Sequence, residues 1–300
     1  MKKVLAIVIT YNAMDWVDRC LGSLLSSTIP VDTFVIDNGS IDGTQNYIKT
    51  HYPSVLFQQN ELNLGFGKAN NIGLQYAIDK QYDFVYLLNQ DAWIFPDTIE
   101  TLIKISRENS KYGILSPFQM TSDLLHIDKN FIKSIVNSTI EGEIIDALYT
   151  NVPKRIYQVQ GVMAAHWLLT RDCLLRVGGF SPTFPHYGED YNYIDRANFF
   201  GYKIGVVPSL KVVHDRSERK IVPAKRMYMG YAVSLHELSK LNESKRWWSV
   251  ISIMVKNTVE YRSIMPIIYL LKTIRSYYTI RRNRKISLKS ECAFLNYKCK

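Results

Sequence analysis

Cysteine is scarce in this chain, and what there is does not pair. Cys20, Cys173, Cys292 and Cys299 form no C-x-x-C and no zinc-ligand spacing. A disulfide scaffold and a structural zinc site are both excluded, and a reducing compartment fits. Acid is scarce at one end only. Residues 211–300 hold 6 Asp/Glu against 20 Lys/Arg, whereas residues 1–210 hold 21 against 17. Within the basic part no charge-free stretch approaches the ~18 residues of a spanning helix, because Lys256, Glu260 and Arg262 interrupt the apolar runs. No small-residue cleavage site follows the opening Met1-Lys2-Lys3-Val4-Leu5. The apolar run ends instead at Thr10-Tyr11-Asn12, so it is read as a first buried strand rather than a secretory signal. Repeats and low-complexity tracts are also missing. Gly65-Phe66-Gly67 lacks the third glycine of a dinucleotide fingerprint, since Asn70 and Leu74 stand farther on.

What is present describes a globular chain. With 300 residues, 47% hydrophobic and 21% charged, it has room for one large domain plus an appendage. We divide it into residues 1–220, a catalytic α/β domain, and residues 221–300, a basic amphipathic helical region. A basic tail selects nucleic acid, an anionic membrane or a polyanionic substrate as partner. The tail's texture favours the membrane. Trp247–Val255 and Ser263–Leu271 are largely apolar and are followed by Arg275, Arg281, Arg282, Arg284, Lys285 and Lys289. Apolar stretches flanked by Trp, Tyr and Arg suit a bilayer interface. The competing reading is a pair of ordinary packing helices with a solvated basic end.

The first 120 residues alternate strand and helix signals. Strands are predicted over Val4–Thr10, Val31–Ile36, Val55–Gln58, Phe84–Leu88 and Ile114–Pro117. Helices are predicted over Asp15–Leu25, Asp42–Thr50, Gly67–Ile78 and Pro96–Asn109. That order implies a doubly wound, mainly parallel sheet flanked by helices. Residues 121–158 read as a variable loop or hairpin. Beyond them the pattern predicts a strand over Gly161–Leu169, helices over Arg171–Val177 and Glu189–Phe200, and two short strands, Lys203–Val207 and Leu210–Val213.

Carboxylates and glycines fall after strands one, two and four, at the ends where open α/β sheets bind ligands. Asp91 ends the run Phe84–Leu88 within Asn89-Gln90-Asp91. By itself such an acid is a common turn or helix-cap residue. The company of Glu189-Asp190 and His214 points instead to a metal-held diphosphate with a general base beside it.

Thr10-Tyr11-Asn12, then Asp37-Asn38-Gly39-Ser40-Ile41-Asp42-Gly43-Thr44, then Asn63-Leu64-Gly65-Phe66-Gly67-Lys68-Ala69-Asn70-Asn71, resemble successive motifs of the family 2 inverting glycosyltransferases, most closely the rhamnosyltransferase-like members. The likeness covers about residues 4–215. It implies a GT-A-like fold with Thr10, Tyr11, Asn12, Asp37, Asn38, Ser40, Gly65, Lys68, Asn70, Asn89 and Gly161 around a nucleotide-sugar. In the family an Asp-x-Asp triplet holds the metal on the donor diphosphate. Here the triplet is Asn89-Gln90-Asp91, with an amide in place of the first carboxylate. The likeness assigns Mg²⁺ or Mn²⁺ to Asp91 and His214, hard-cation chemistry in which the diphosphate supplies further oxygens. It assigns the base to the acid pair, with Asp190 ahead of Glu189. His166 and His186 rival His214, Trp93 is a candidate wall of the sugar pocket, and Trp167 reads as core.

The activity so implied is transfer of one sugar from a nucleoside diphosphate-sugar, with thymidine-linked rhamnose as a plausible donor. The acceptor is a hydroxyl of a glycan or lipid-linked glycan in surface polysaccharide synthesis. The implied location is the cytoplasmic face of the cell membrane, with no nucleic acid partner. Two alternatives are weighed against this. A nucleotidyltransferase needs a glycine-rich, basic loop after strand one, and Thr10-Tyr11-Asn12-Ala13-Met14 has neither glycine nor base. A non-catalytic glycan- or membrane-binding protein on the same scaffold has only Asn89 in its favour.

Overall fold

The protein is described from a computed structural model that covers residues 2–136, 141–216, 222–241, 247–289 and 291–296. Its centre is a nine-stranded sheet in the order β3-β2-β1-β4-β8-β6-β9-β5, with β7 also paired to β9. The first four neighbours, β3 (Leu56–Gln59), β2 (Asp32–Asp37), β1 (Val4–Thr10) and β4 (Phe84–Asn89), run parallel. β1 is buried along nearly its whole length, as a central strand covered on both faces must be. α1 (Val17–Leu25) and α4 (Thr98–Glu108) cover one face. In α1, Val17, Cys20, Leu21 and Leu24 point inward at helical spacing. α3 (Phe66–Asp79), α7 (Arg171–Val177) and α8 (Glu189–Phe199) cover the other face, and α2 (Thr44–His51) adds Ile48 to the first. All the β-to-α turns of the parallel half therefore open on one edge, where the motifs meet.

The second half of the sheet is mixed. β8 (His166–Thr170) is antiparallel to both β4 and β6 (Tyr112–Met120), and β6 is parallel to β9 (Lys203–His214). Several expectations change here. The segment 121–158 opens on a short antiparallel turn, with Met120 bridged to Ile127 and the Thr121 amide donating to the His126 carbonyl at 2.9 Å. Beyond it, in place of the expected loop, stand α5 (Lys129–Val136), α6 (Glu141–Thr150) and β7 (Tyr157–Val159). Asp128 starts α5 by accepting bonds from the Asn130 and Phe131 amides, and Phe131 and Ile135 enter the core. The strand expected from Gly161 begins only at His166. The two short strands expected after residue 203 are one. Its register jumps from Pro117↔Val207 to Phe118↔Lys211, so Pro208, Ser209 and Leu210 bulge without ending it. Asp91 is followed by a strand the sequence did not announce, β5 (Ala92–Trp93), whose Ala92 lies opposite His214.

From Pro223 the described chain is helical: α9 (Pro223–Ser239), α10 (Trp247–Tyr261) and α11 (Met265–Lys289). They share a small core of Phe184, Tyr231, Leu235, Leu238, Val250, Met254 and Ile280. Past α11 the chain returns to the sheet domain. The Cys292 amide donates to the Leu175 carbonyl at 2.8 Å, Ala293 accepts from the Gly179 amide at 2.8 Å, and Asn296 donates to Gln75 at 2.7 Å.

Candidate active site

The ends of β1 and β2 are tied by one buried carboxylate. Asp37 is fully buried and accepts from the Thr10 hydroxyl at 3.0 Å, the Ser40 amide at 2.9 Å and Gln45 Nε2 at 3.0 Å; the Ser40 hydroxyl also donates to it. Ser40 in turn accepts from the Asn12 amide at 2.8 Å, and Asn12 Oδ1 accepts from the Ile41 amide at 2.9 Å. Asn12 is held in the left-handed region, at φ 51°. This lattice of bonds fixes the rim on which the half-exposed Tyr11 and Asn12 sit. Asn38, also buried, reaches the third motif by donating to the Gly65 carbonyl at 3.4 Å. Gly65 needs its glycine: φ is +78° and a Cβ would stand 2.5 Å from the Pro185 carbonyl oxygen. Lys68 is exposed on the first turn of α3, while Asn70 turns inward and donates to Phe66 within the helix.

The end of β4 brings the second group together. Gln90, which the sequence reading passed over, clamps Tyr11: Oε1 accepts from its amide at 2.6 Å and Nε2 donates to its carbonyl at 3.1 Å. Asp91 and His214 are both buried, with Oδ1 and Nε2 3.6 Å apart, and Asn89 Nδ2 lies 3.5 Å from the same Nε2. The pairing of β5 with the end of β9 makes this meeting possible. On the far side of the imidazole, Nδ1 faces Gln119 Oε1 at 3.2 Å and Asp128 Oδ2 at 3.9 Å. A proton at Nδ1, donated to Gln119 Oε1, would leave the Nε2 lone pair facing Asp91. Gln119 and Asp128 fall at or inside the segment whose sequence pattern was unreadable, so no signal marked them.

His166 is taken out of contention by its own bonds. It is fully buried between the Tyr86 hydroxyl at 2.9 Å and the Val213 carbonyl at 2.9 Å, and burial lowers its pKa to about 3. It is a neutral structural histidine. Trp167 is core, as expected. Trp93 lies in β5 under the Arg19 guanidinium, 5.3 Å from its ring centroid.

The acid pair opens α8 after a backbone reversal in which Tyr187 (φ 62°) and Gly188 (φ 86°) are both left-handed. A non-glycine residue there is a local strain that the surrounding packing must hold. Glu189 is buried and Asp190 half-buried. Asp190 Oδ1 accepts from the Tyr191 amide at 2.8 Å. Burial raises the pKa of Glu189 from 4.5 to about 8, with Asp190 adding to it. Burial also raises Asp190, against backbone amides, Ala164 among them, and the nearby His236. Burial therefore makes both carboxyl groups weaker acids than free ones, and a proton held by the pair relieves their mutual repulsion. His236, on α9, bridges to Asp195 of α8 at 2.8 Å, a contact invisible in sequence.

These groups form one contiguous set. Gly67 brings α3 against Glu189, where a Cβ would lie 3.7 Å from the Glu189 Cβ. Gly161 leaves room for Tyr191, whose ring would be 3.0 Å from a Cβ at that position. Such a set offers a hydrogen-bonded rim, a carboxylate–imidazole pair and an acid pair. A divalent cation fits the carboxylate–imidazole pair, because a lone pair and a carboxylate that face each other across 3.6 Å are electrostatically reconciled by a positive charge. Among the described residues no cluster of three or more His, Cys, Asp or Glu side chains gathers for a metal.

The chain is similar in sequence and fold to known glycosyltransferases. The description Glycosyl transferase family 2 matches residues 5–154, half of the chain. The chain is 27% identical over 239 residues to an N-acetylglucosaminyl-diphospho-decaprenol L-rhamnosyltransferase of Mycobacterium tuberculosis, covering 72% of this chain and 78% of that protein. It is 24% identical over 221 residues to the rhamnosyltransferase WbbL of Escherichia coli, covering 70% and 83%. Its fold is similar to the mannosyltransferase PcManGT of Pyrobaculum calidifontis, solved with GDP-Man and Mn²⁺, at a TM-score of 0.60 and 17% identity over 95% of this chain and 84% of that one.

Proposed function

The chain belongs to glycosyl transferase family 2, and from that premise we propose that it moves a single sugar, with inversion at C1, from a nucleoside diphosphate-sugar to a hydroxyl of a lipid-linked glycan. The observation that carries the mechanism is the acid pair. Asp190 is half-exposed at the start of α8, and burial makes it a stronger base than a free aspartate. It takes the proton of the acceptor hydroxyl as that oxygen bonds to C1 and the C1–diphosphate bond breaks on the opposite side. A base with a raised pKa is the better proton acceptor near neutral pH.

The rim of Thr10, Tyr11, Asn12, Asp37, Asn38, Ser40, Gly65, Lys68 and Asn70 holds the nucleoside, in part through side chains and in part through the backbone they fix. Asn89 and Gly161 border the sugar. Asp91 and His214 hold Mg²⁺ or Mn²⁺, which supplies charge neutralisation of the departing diphosphate. Two relatives named as rhamnosyltransferases make deoxythymidine diphosphate-rhamnose the donor to test first. The name of one of them points to an acceptor carried on a polyprenyl diphosphate.

The catalytic unit is placed at residues 1–220 and the tail at 221–300. In support, the last strand ends at His214 and the described chain is helical from Pro223 to Lys289. Among the described residues no helix is long and apolar enough to cross a membrane. The tail is therefore assigned to the cytoplasmic membrane surface, on the strength of its exposed apolar and basic side chains.

Asp190→Asn tests the reading. Transfer should fall by about 10²-fold or more, the usual scale for a positioned base, while donor binding measured by calorimetry stays within error of wild type. Near-normal turnover would remove Asp190 from the mechanism and pass the role to Glu189.

A further inference from the structure

A run of tyrosine rings leads away from the acid pair and takes no part in the transfer step. Tyr187 lies edge-on to Tyr228 of α9, with ring centroids 6.2 Å apart. Tyr228 meets Tyr231 at 5.7 Å and Tyr269 of α11 at 5.8 Å, and the last two stack at 4.9 Å with 15° between their planes. Two ammonium groups border the same rings. Lys225 Nζ is 5.5 Å from the Tyr187 centroid, and Lys272 Nζ is 5.5 Å from that of Tyr231. Tyr187, Lys225, Tyr228 and Tyr269 are half-buried and Lys272 is exposed, so part of each side chain faces solvent.

The two ends of the run differ. The inner end abuts the acid pair: Tyr187 directly precedes Gly188-Glu189 at the start of α8. The outer end meets exposed hydrocarbon, since Ile268 (45% exposed) and Leu271 (51%) flank Tyr269 and Lys272 on α11.

Leading from the base, the run carries rings bordered by a cation at its inner end (Lys225) and another at its outer end (Lys272), and then exposed apolar surface. Aromatic side chains with a polar edge suit sugar rings, lysines act as point charges for phosphate, and exposed apolar helix surface suits acyl or prenyl chains. A lipid-borne sugar diphosphate presents the matching groups: hydroxyl, sugar ring, diphosphate and hydrocarbon. We propose that this tyrosine-and-lysine track is the acceptor subsite. The sugar lies on Tyr187 and Tyr228 with its hydroxyl toward Asp190, the diphosphate is drawn by Lys225 and Lys272, and the hydrocarbon runs out over α11. This rests on the transferase reading above.

The probe for the test is farnesyl-diphospho-N-acetylglucosamine, a water-soluble short-chain acceptor, compared with free N-acetylglucosamine. Wild type, Lys225→Ala/Lys272→Ala, Tyr228→Ala and Tyr228→Phe are each titrated with the probe and, separately, with nucleoside diphosphate. Wild type should bind the probe at least 10-fold tighter than the free sugar. The double lysine variant and Tyr228→Ala should each lose 10-fold or more, Tyr228→Phe should keep wild-type affinity, and nucleoside diphosphate affinity should be the same in all four. Equal probe affinity in wild type and the lysine variant overturns the track. The transferase reading fails separately: if wild type releases nucleoside diphosphate from no nucleotide-sugar while lysine-dependent probe binding persists, the track stands and the reaction does not.

Discussion

Burial holds both adjacent carboxyl groups at the start of α8 above their ordinary pKa. Glu189 is the less exposed of the two, lies beside Gly67 of α3 and is pushed up to about 8, with Asp190 adding to the shift. The helix dipole favours negative charge at this end, yet desolvation outweighs it for Glu189. A stability consequence follows from the sign of the shift. The folded state keeps a proton on Glu189 between the ordinary value of 4.5 and about 8, while the unfolded chain has released it. Its contribution to stability is therefore full below 4.5 and is lost as pH rises through about 8. Glu189→Gln removes that dependence. The melting temperature of the variant relative to wild type should be higher at pH 9 than at pH 5. A gap of the same size at both values would show that Glu189 ionises in the folded protein as it does in the unfolded one. Asp190 shifts in the same direction, so transfer should fall on acidification with a midpoint above the ordinary aspartate value of 3.8.

At the scale of elements, the decisive feature is the two-residue strand β5. By pairing Ala92 with His214 it lays the end of β4 beside the end of β9, residues that are 123 apart in the chain for Asp91 and His214. The parallel half of the fold was legible from sequence because its strands are continuous apolar runs and its helices carry a clear apolar stripe. The mixed half was not. β9 carries a bulge that breaks its period, β5 is too short to have one, and α5 and α6 lie in a segment of mixed pattern. The motif residues were legible by chemistry, but their supports were not. Gln90, Gln119, Asp128 and His236 act through long-range partners that no spacing rule reaches. The metal reading is tested at this scale. Asp91→Ala should abolish the gain in nucleoside diphosphate affinity that Mn²⁺ gives wild type, and His214→Ala should reduce it less. Calorimetry with and without Mn²⁺ reads this directly. A wild type whose affinity is the same in both conditions would refute the site.

Over the whole molecule, charge and apolar exposure coincide. Eight of the 20 Lys/Arg of residues 211–300 share α10 and α11 with large side chains that the fold leaves uncovered: Trp248 is 83% exposed, Val259 73% and Tyr278 79%. Trp247, by contrast, packs on Tyr277 with centroids 5.1 Å apart, so only one of the two adjacent tryptophans is available to a bilayer. Arg275, Arg281, Arg282 and Lys285 are exposed on the same helix as Tyr278. Amphipathic helices of this kind lie in the headgroup plane. Each basic residue near an anionic surface adds attraction of about 1 kcal/mol, and salt screens that term while leaving the apolar term intact. The enzyme should accordingly float with anionic vesicles, partly release at high salt and release fully only in detergent. Trp248→Ser should weaken binding at every salt concentration. Arg281→Gln/Arg282→Gln/Lys285→Gln should weaken it mainly at low salt, where the charges are unscreened. Equal recovery in the soluble fraction with anionic and with neutral vesicles would make α10 and α11 ordinary packing elements. The acceptor would then have to leave its membrane to reach Asp190.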